Sequence, residues 1–498
     1  MKQRMVKILA LATAMGLLSF PLCAEEEGTD GMSFSSFGED DSTPSLSVNG
    51  TAETEMRWFL DDGNDSTVSS DPSLALSLGY SAEKVEMDAK LKLSKEILEN
   101  YPEDALQEMT IRAYMGDFVA EGGKMKLVWG KGDKLHVLDN FNADDYTDFV
   151  IPDYIDRRLA VPMAHLVYNG PDSLRVEAAY VPFLVPDRYA TEGRWTPSLY
   201  TDSVQTVSFL ATAYADQAYR STYASVYASA VNTGVPADAA AIAASDYASL
   251  MQSVYLAKVE AQNGLYADTH SLKYRQFGFR VTGTVGSFDW GASYYDGFEK
   301  QPTLRQDRLK AWIADPSTDV DPPLDYDSLR VFGVEGATAV GRFNFRMEGA
   351  YNLTDDVAGT DGNVRNNSIG WVFGVDFDVV GNLNVNLQTK GSVILGADGI
   401  KDNGTSDIEY SAKDRYHDDT LALALSDSFL HERLKAECDM VYDIESNDLA
   451  VMPKLTYSIT DGLDASLSGL YIHADDEEGD FYSFADNSFV QAKIVYSF

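Results

Sequence analysis

The chain has little of what sites are usually built from. Two cysteines and six histidines in 498 residues exclude a disulfide framework and a cysteine-held metal cluster. Cys23 belongs to the leading segment, and Cys438 falls on an apolar-alternating face, where a thiol is inert. Lysine and arginine number 39 against 78 acidic residues, a formal charge of −39, so the basic surface that holds nucleic acid is missing. Beyond residue 22 no apolar run approaches the ~20 residues of a membrane helix. There is no glycine-rich phosphate loop, no nucleotide fingerprint and no histidine–serine or histidine–aspartate pair at a specific spacing. No cofactor and no catalytic set are expected from such a composition.

The leading segment does hold one apolar run. Lys2, Arg4 and Lys7 precede the stretch from Ile8 to Leu22, and Ala24 then meets Glu25, Glu26 and Glu27. Basic, apolar, small and acidic in that order is a secretory signal peptide over 1–24, cut after Ala24. Cys23 opens a rival, lipidation at the cut, against which the bulky Phe20-Pro21-Leu22 argues. Residues 25–44 read as a flexible N-terminal segment.

From residue 45 the period is two. At the C-terminus Val490, Ala492, Ile494, Tyr496 and Phe498 share one face, and Gln491, Lys493 and Ser497 the other. Val85, Met87, Ala89, Leu91 and Leu93 alternate in the same way with Lys84, Glu86, Asp88, Lys90 and Lys92. About 18 such segments read as half-apolar strands, among them 107–118 and 122–130, joined by Val119-Ala120-Glu121. A soluble sandwich would alternate too, so the connections decide. They run long and short by turns, with Glu445–Asn447 the one exception. Long connections at one end and short ones at the other are the signature of a bacterial outer-membrane barrel. The expected fold is an all-β, transmembrane, antiparallel up-and-down β-barrel over 45–498, of about 16–18 strands. Aromatics near strand ends (Trp58, Tyr80, Trp129, Tyr180, Trp290, Tyr351, Trp371, Tyr457, Tyr471) suit interfacial girdles.

Two insertions depart from the period. Residues 201–270 are rich in alanine, with Asn232-Thr233-Gly234-Val235-Pro236 in the middle, and read as an α-helical hairpin in one outer loop: glycine ends one helix and proline begins the next. It serves as a lid or plug, or stands on the rim. Residues 131–162 are too long for a turn and read as a loop folded into the lumen. There Arg157 and Arg158 would face Asp139, Asp144, Asp145, Asp148, Asp153 and Asp156 across a constriction, filtering solutes by charge. The alternative is an ion-pair network tying the loop to the wall. Arg112, Lys126, Arg342, Arg346 and Lys390 are expected on the lumen wall, and His165 near Arg157 and Arg158 or as a satisfied structural histidine.

Trp129-Gly130, Asp133, Asp139, Asn142 with Asp144, Asp156-Arg157-Arg158 and Pro162, continued by "LRVEAAYVPFLVPDRY" from Leu174 to Tyr189, resemble a poorly characterised family of bacterial outer-membrane proteins related to porins of the alginate-export type. Ala143 departs from the proline expected after Asn142. The resemblance implies a porin-sized barrel and a channel for small solutes, and does not carry over a substrate.

Two acidic stretches, His417-Asp418-Asp419 and the run Asp475–Asp480, offer oxygen ligands of the kind calcium takes, but neither has EF-hand spacing, and solvated loop tips are the plainer reading. The expected function is diffusion of small hydrophilic solutes through the bacterial outer membrane, with a surface barrel displaying its loops to a ligand or host as the alternative. The partners expected are the lipid bilayer, the solutes and the barrel-assembly machinery, for which Ile494, Tyr496 and the terminal Phe498 form the signal. Homo-oligomers stay open.

Overall fold

The computed structural model describes residues 44–498 except 61–68, 71, 149–153, 261–263, 315–319, 362–363, 397–415, 477–478 and 480. The signal peptide therefore lies outside the described residues, as does Asp153. Eighteen long strands make the wall: β1 (Ser45–Phe59), β2 (Ser73–Ala82), β3 (Val85–Ser94), β4 (Leu106–Met115), β5 (Phe118–Met125), β6 (Val161–Asn169), β7 (Arg175–Val181), β8 (Gln276–Val285), β9 (Phe288–Phe298), β10 (Ser328–Val340), β11 (Phe343–Leu353), β12 (Ser368–Asp378), β13 (Asn384–Ile394), β14 (His417–Phe429), β15 (Leu434–Asp443), β16 (Leu449–Thr460), β17 (Leu463–His473) and β18 (Phe489–Ser497). Each pairs antiparallel with the next, and β1 also pairs with β18, from Thr51 opposite Ser497 to Phe59 opposite Phe489. The sheet is a closed barrel without an exposed edge.

The seam shows why the terminal residue is ordered. Gly50 and Phe498 exchange both backbone hydrogen bonds at 2.9 Å. A Cβ on Gly50 would come within 2.7 Å of Phe498 Cε2, so the glycine gives the terminal ring its seat. Tyr496 stacks on the same ring at 6.0 Å between centroids.

Alternation sorts the two faces. Met56, Trp58, Tyr80, Met109, Ile111, Leu166, Tyr180, Phe279, Phe332, Phe373, Leu455 and Ile494 are exposed on the outside. Trp58, Tyr180, Tyr351 and Tyr471 stand near the long-loop ends of their strands, and Tyr80, Tyr457 and Tyr496 near the short-turn ends, as two interfacial belts would. Trp129 does not belong to them: it is 1% exposed and packs inside the barrel, 5.0 Å from Phe141 in an edge-to-face pair.

Two registers differ from the sequence reading. The turn between β4 and β5 lies at Gly116-Asp117, not at 119–121, because Gly116 takes a φ of +64° that suits glycine. Val119, Ala120 and Glu121 then join the ladder. Arg342 stands in the turn before β11, with its guanidinium over the rings of Phe343 and Phe377 at 5.2 and 5.8 Å, so it is a rim residue and not part of the lumen wall.

The inside of the wall is polar, and a charge ladder crosses it from strand to strand. Glu86 meets Arg112 at 2.9 Å, Arg112 meets Glu121 at 2.5 Å, and Glu121 meets His165 at 2.6 Å. His165 meets Glu177 at 3.1 Å, and Arg280 joins Glu177 at 3.2 Å to Glu335 at 2.5 Å. On β9 the ladder passes over Gly291, where a Cβ would lie 2.6 Å from Glu335 Cγ. His165 is thus a wall residue held by two glutamates, the satisfied structural histidine of the sequence reading and not a partner of Arg157 and Arg158.

The helical hairpin joins β7 to β8. Helix α1 (Ser198–Asn232) and helix α2 (Ala237–Glu260) pack through Ala211, Ala215, Ala240, Ala244 and Ala248, each buried. Side chains this small let the two backbones run close together. Gly234 takes a φ of +89° at the tip, and Ala240 N donates to Pro236 O at 2.8 Å. At its base, Leu210 and Tyr214 pack on Leu309, Trp312 and Ile313 of helix α3 (Gln306–Ala314), which lies in the β9–β10 loop. Tyr255 and Lys258 donate to the Ala314 and Trp312 carbonyls at 3.1 and 2.9 Å. At about 1.5 Å per residue α1 is about 50 Å long, and the hairpin is rooted at the long-loop end, where its base packs on α3.

Candidate functional site

The segment between β5 and β6 passes through the interior of the barrel. Its first part, 129–139, lies against β8 to β13. Three strand glycines take its apolar side chains: a Cβ on Gly278 would lie 2.9 Å from both Trp129 and Phe141, one on Gly333 2.5 Å from Leu138, and one on Gly370 3.3 Å from Val137. A glycine inside a strand often marks such an approach of other groups. These side chains form one buried cluster with Met125, Met163, Val181, Tyr295 and Val331.

Glu348 on β11 fixes the chain direction. Its carboxylate accepts the N–H groups of Lys131, Gly132 and Val137 at 2.7, 2.7 and 2.8 Å, and pairs with His136 Nδ1 at 3.0 Å. Gly130 permits this: its φ is +114°, and a Cβ there would sit 2.7 Å from Glu348 Cδ. Gln388 on β13 accepts from Lys134 N and Leu135 N at 3.3 and 3.1 Å. Arg346 forms an ion pair with Asp133, which also accepts from Asn386 at 2.7 Å. Lys134 reaches Asp439 on β15 at 3.7 Å.

The second part folds on itself. Asn142 ties the two arms together: its Oδ1 accepts Leu127 N at 2.8 Å, and its Nδ2 donates to Met125 O and Leu159 O at 3.1 and 2.8 Å. Arg158 is buried and donates to the carbonyls of Asn142 and Asp139 at 2.8 and 3.0 Å. It pairs with the carboxylates of Asp139 and Asp144 at 2.9 and 3.3 Å, and Tyr154 bridges it to Asp139. Burial pushes the Asp139 carboxyl up, and Arg158 opposes the shift.

The expected constriction residues therefore separate. Arg157, Arg158, Asp139 and Asp144 come together, with Arg157 on Asp144 at 3.1 Å. Arg158 and Asp139 touch directly inside the loop and do not face each other across a passage, and two backbone carbonyls and Tyr154 take up the other N–H groups of Arg158. Asp145 pairs with Arg188 at 3.1 Å, and Asp148 with Arg57 of β1 at 3.0 Å. Asp156 is exposed. Of the expected wall residues, Arg112 belongs to the charge ladder, Arg346 holds the loop, and Lys126 donates to Ile155 O at 2.7 Å. Lys390 shares the inward face of β13 with Gln388. The sequence reading missed Glu348's anchoring role, Gln388 and the three seat glycines. A lone glycine in an otherwise regular strand was the available signal for the seats.

Asp187, beyond β7, accepts Asp144 N at 2.8 Å, and burial pushes its carboxyl up to about 6. Lys300, whose backbone carbonyl accepts Asp187 N at 3.0 Å, is lowered to about 7 by burial.

No protein-family model and no curated protein matches the chain. Among solved structures the chain is similar to Pseudomonas aeruginosa OpdO, with 8% identity over 91% of this chain and 96% of that chain and a TM-score of 0.44. It is similar to Acinetobacter baumannii OccAB4, with 11% identity over 93% and 100% and a TM-score of 0.44. A BenF-like porin from Pseudomonas fluorescens Pf-5 gives 7% identity over 91% and 98%, with a TM-score of 0.45.

Proposed function

We propose that the chain is a channel of the bacterial outer membrane through which small hydrophilic solutes diffuse down their gradients, with the loop from 126 to 160 setting its narrow point. One observation carries this reading: a closed barrel, apolar and aromatic outside and charged inside, is crossed internally by a loop fastened to the far wall. A barrel of this size is too wide for its own wall side chains to fill, and a loop anchored inside it would narrow the passage. Charges on the loop surface keep part of their exposure: the side chains of Arg157, Lys134 and Lys131 are 32%, 41% and 31% exposed. Together with Asp156, Lys126 and Lys390 they would filter solutes by size and charge. Ile494, Tyr496 and Phe498 on the seam strand would address the barrel-assembly machinery. A relation to alginate-export-type porins is part of the proposal, supported by Trp129, Asp139, Asn142 and Arg158, which build the loop. The test is conductance in planar bilayers: purified, folded protein should give discrete single-channel steps, and protein that stays electrically silent sinks the reading.

The rim hairpin supports a second reading, a barrel that displays its loops to a ligand. Phe209, Ile242, Tyr247 and Leu250 on the hairpin are exposed. That reading expects no conductance and a binding activity lost when the hairpin is cut away.

A further inference from the structure

We propose that the segment Asp187–Trp195 is a bar across the long-loop mouth of the channel, latched to the seam wall by Trp195, and that it selects solutes together with the internal loop; this rests on the channel function proposed above. The two ends of the segment touch opposite sides of the barrel. Asp187 N donates to Lys300 O at 3.0 Å, and Lys300, just beyond β9, donates from Nζ to Tyr295 OH of β9 at 3.3 Å. Trp195 packs on Phe59 of β1, Phe489 of β18 and Phe484 of the β17–β18 loop, at 6.3, 6.5 and 5.8 Å between ring centroids. Ala190 is buried in the same cluster. β9 and β18 stand half a ring of eighteen strands apart, so the chain between these anchors crosses the mouth.

On the way it is zipped to the internal loop. Arg188 N donates to Asp144 O at 2.9 Å, Arg188 and Tyr189 pair in parallel with Asp145 and Tyr146, and the two tyrosine rings stack at 5.2 Å. Arg188 also ties the bar to Asp104 of the β3–β4 loop at 2.6 Å. The internal loop leaves this ribbon for the seam side as well, where Asp148 meets Arg57. Trp195 is the latch because its ring fills a pocket of buried rings, while Arg194 lies over Phe59 at 4.3 Å and Asn487 Nδ2 donates to Arg194 O at 2.6 Å. Between the buried Ala190 and Trp195 the chain turns outward: Thr191, Glu192 and Gly193 are exposed, and nothing lies within 4 Å of a Cβ on Gly193. Glu192 thus presents its carboxylate to the open space of the mouth. Helix α1 begins at Ser198, so the root of the hairpin and the bar are one piece of chain.

The test uses the full barrel in planar bilayers, with Trp195→Ala, Trp195→Phe and Glu192→Lys. Emptying the Trp195 seat should move the balance from latched toward released bar by about two orders of magnitude or more. In Trp195→Ala, trypsin should cut after Arg194 where it spares the wild type, mean conductance should rise, and larger polyethylene glycols should enter the channel. Trp195→Phe, which refills much of the seat, should restore the wild-type size limit. Glu192→Lys alters an exposed side chain, so folding is not at stake; its reversal potential in a salt gradient should shift toward anions, and this arm decides alone if Trp195→Ala does not fold. A conducting wild type whose size limit and ion preference are unchanged in the folded variants overturns the bar and leaves the channel standing. Folded Trp195→Ala that trypsin still spares at Arg194 overturns the latch. A wild type without conductance overturns both the bar and the channel.

Discussion

Replacing Glu348 by alanine should free the internal loop while leaving the barrel intact. The carboxylate collects three backbone N–H groups and His136 within 3.0 Å, and no ladder hydrogen bond of β11 depends on that side chain. Breaking a buried charge-assisted set of this kind costs about 3–5 kcal/mol. At about 1.4 kcal/mol per factor of ten, the balance between docked and released loop moves by about two to almost four orders of magnitude. The remaining attachments, Gln388, Asp133–Arg346 and the glycine seats, oppose release, so the loop should exchange between the two states. The assay is single-channel recording with wild type, Glu348→Ala and Glu348→Gln. Alanine should raise mean conductance and add open-state noise. Glutamine, which keeps one acceptor oxygen, should fall between. Heat-modifiable migration on gels shows that each variant is folded. A folded alanine variant with wild-type conductance and noise would refute either the anchoring or the loop's hold on the current.

Three further outcomes follow from the same geometry. Gly278→Ala places a methyl 2.9 Å from Trp129 and Phe141, and overpacking of this kind costs about 1–3 kcal/mol; protease sensitivity of the 129–142 segment should rise while the wall stays resistant. Gly50→Val and deletion of Phe498 both spoil the seam, so the yield of folded barrel should drop in each, whereas the conductance of molecules that do assemble should stay at the wild-type value. Asp187, at about 6 when folded against about 3.9 in an unfolded chain, binds an extra proton in the folded state between those values. Stability should therefore fall as pH rises from about 4 to about 6 and level off above; melting curves across that window should lose the slope in Asp187→Asn, and a slope that persists there assigns it to another group.

Much of the fold was legible in the sequence because it is written in short-range signals. Period two gave the strands, the lengths of successive connections gave the end of the barrel each loop belongs to, and glycine followed by proline gave the hairpin tip. The failures are where a side chain's role depends on residues far along the chain. Glu348 meets Lys131 across more than two hundred residues, and no local pattern announces that contact. The sequence puts Arg158 and Asp139 in one segment, but that they meet directly inside the fold depends on Tyr154 and two backbone carbonyls. A tryptophan at a strand end suits a membrane interface, but the glycine opposite Trp129, Gly278, seats it inside. The turn at Gly116 was displaced because one glycine's left-handed φ outweighs three residues of turn-like spacing.

The glycine seats on β8, β10 and β12 have a consequence for the shape of the passage. They let the loop lie against the wall from β8 to β13, so that arc is two layers thick. The arc around β1, β17 and β18 is lined as well, because Trp195 packs on Phe59, Phe484 and Phe489 there and Asp148 pairs with Arg57. Any conduit must then pass between two inner linings, the 129–139 segment on one flank and the Trp195 cluster on the other, two surfaces that mutation can alter separately.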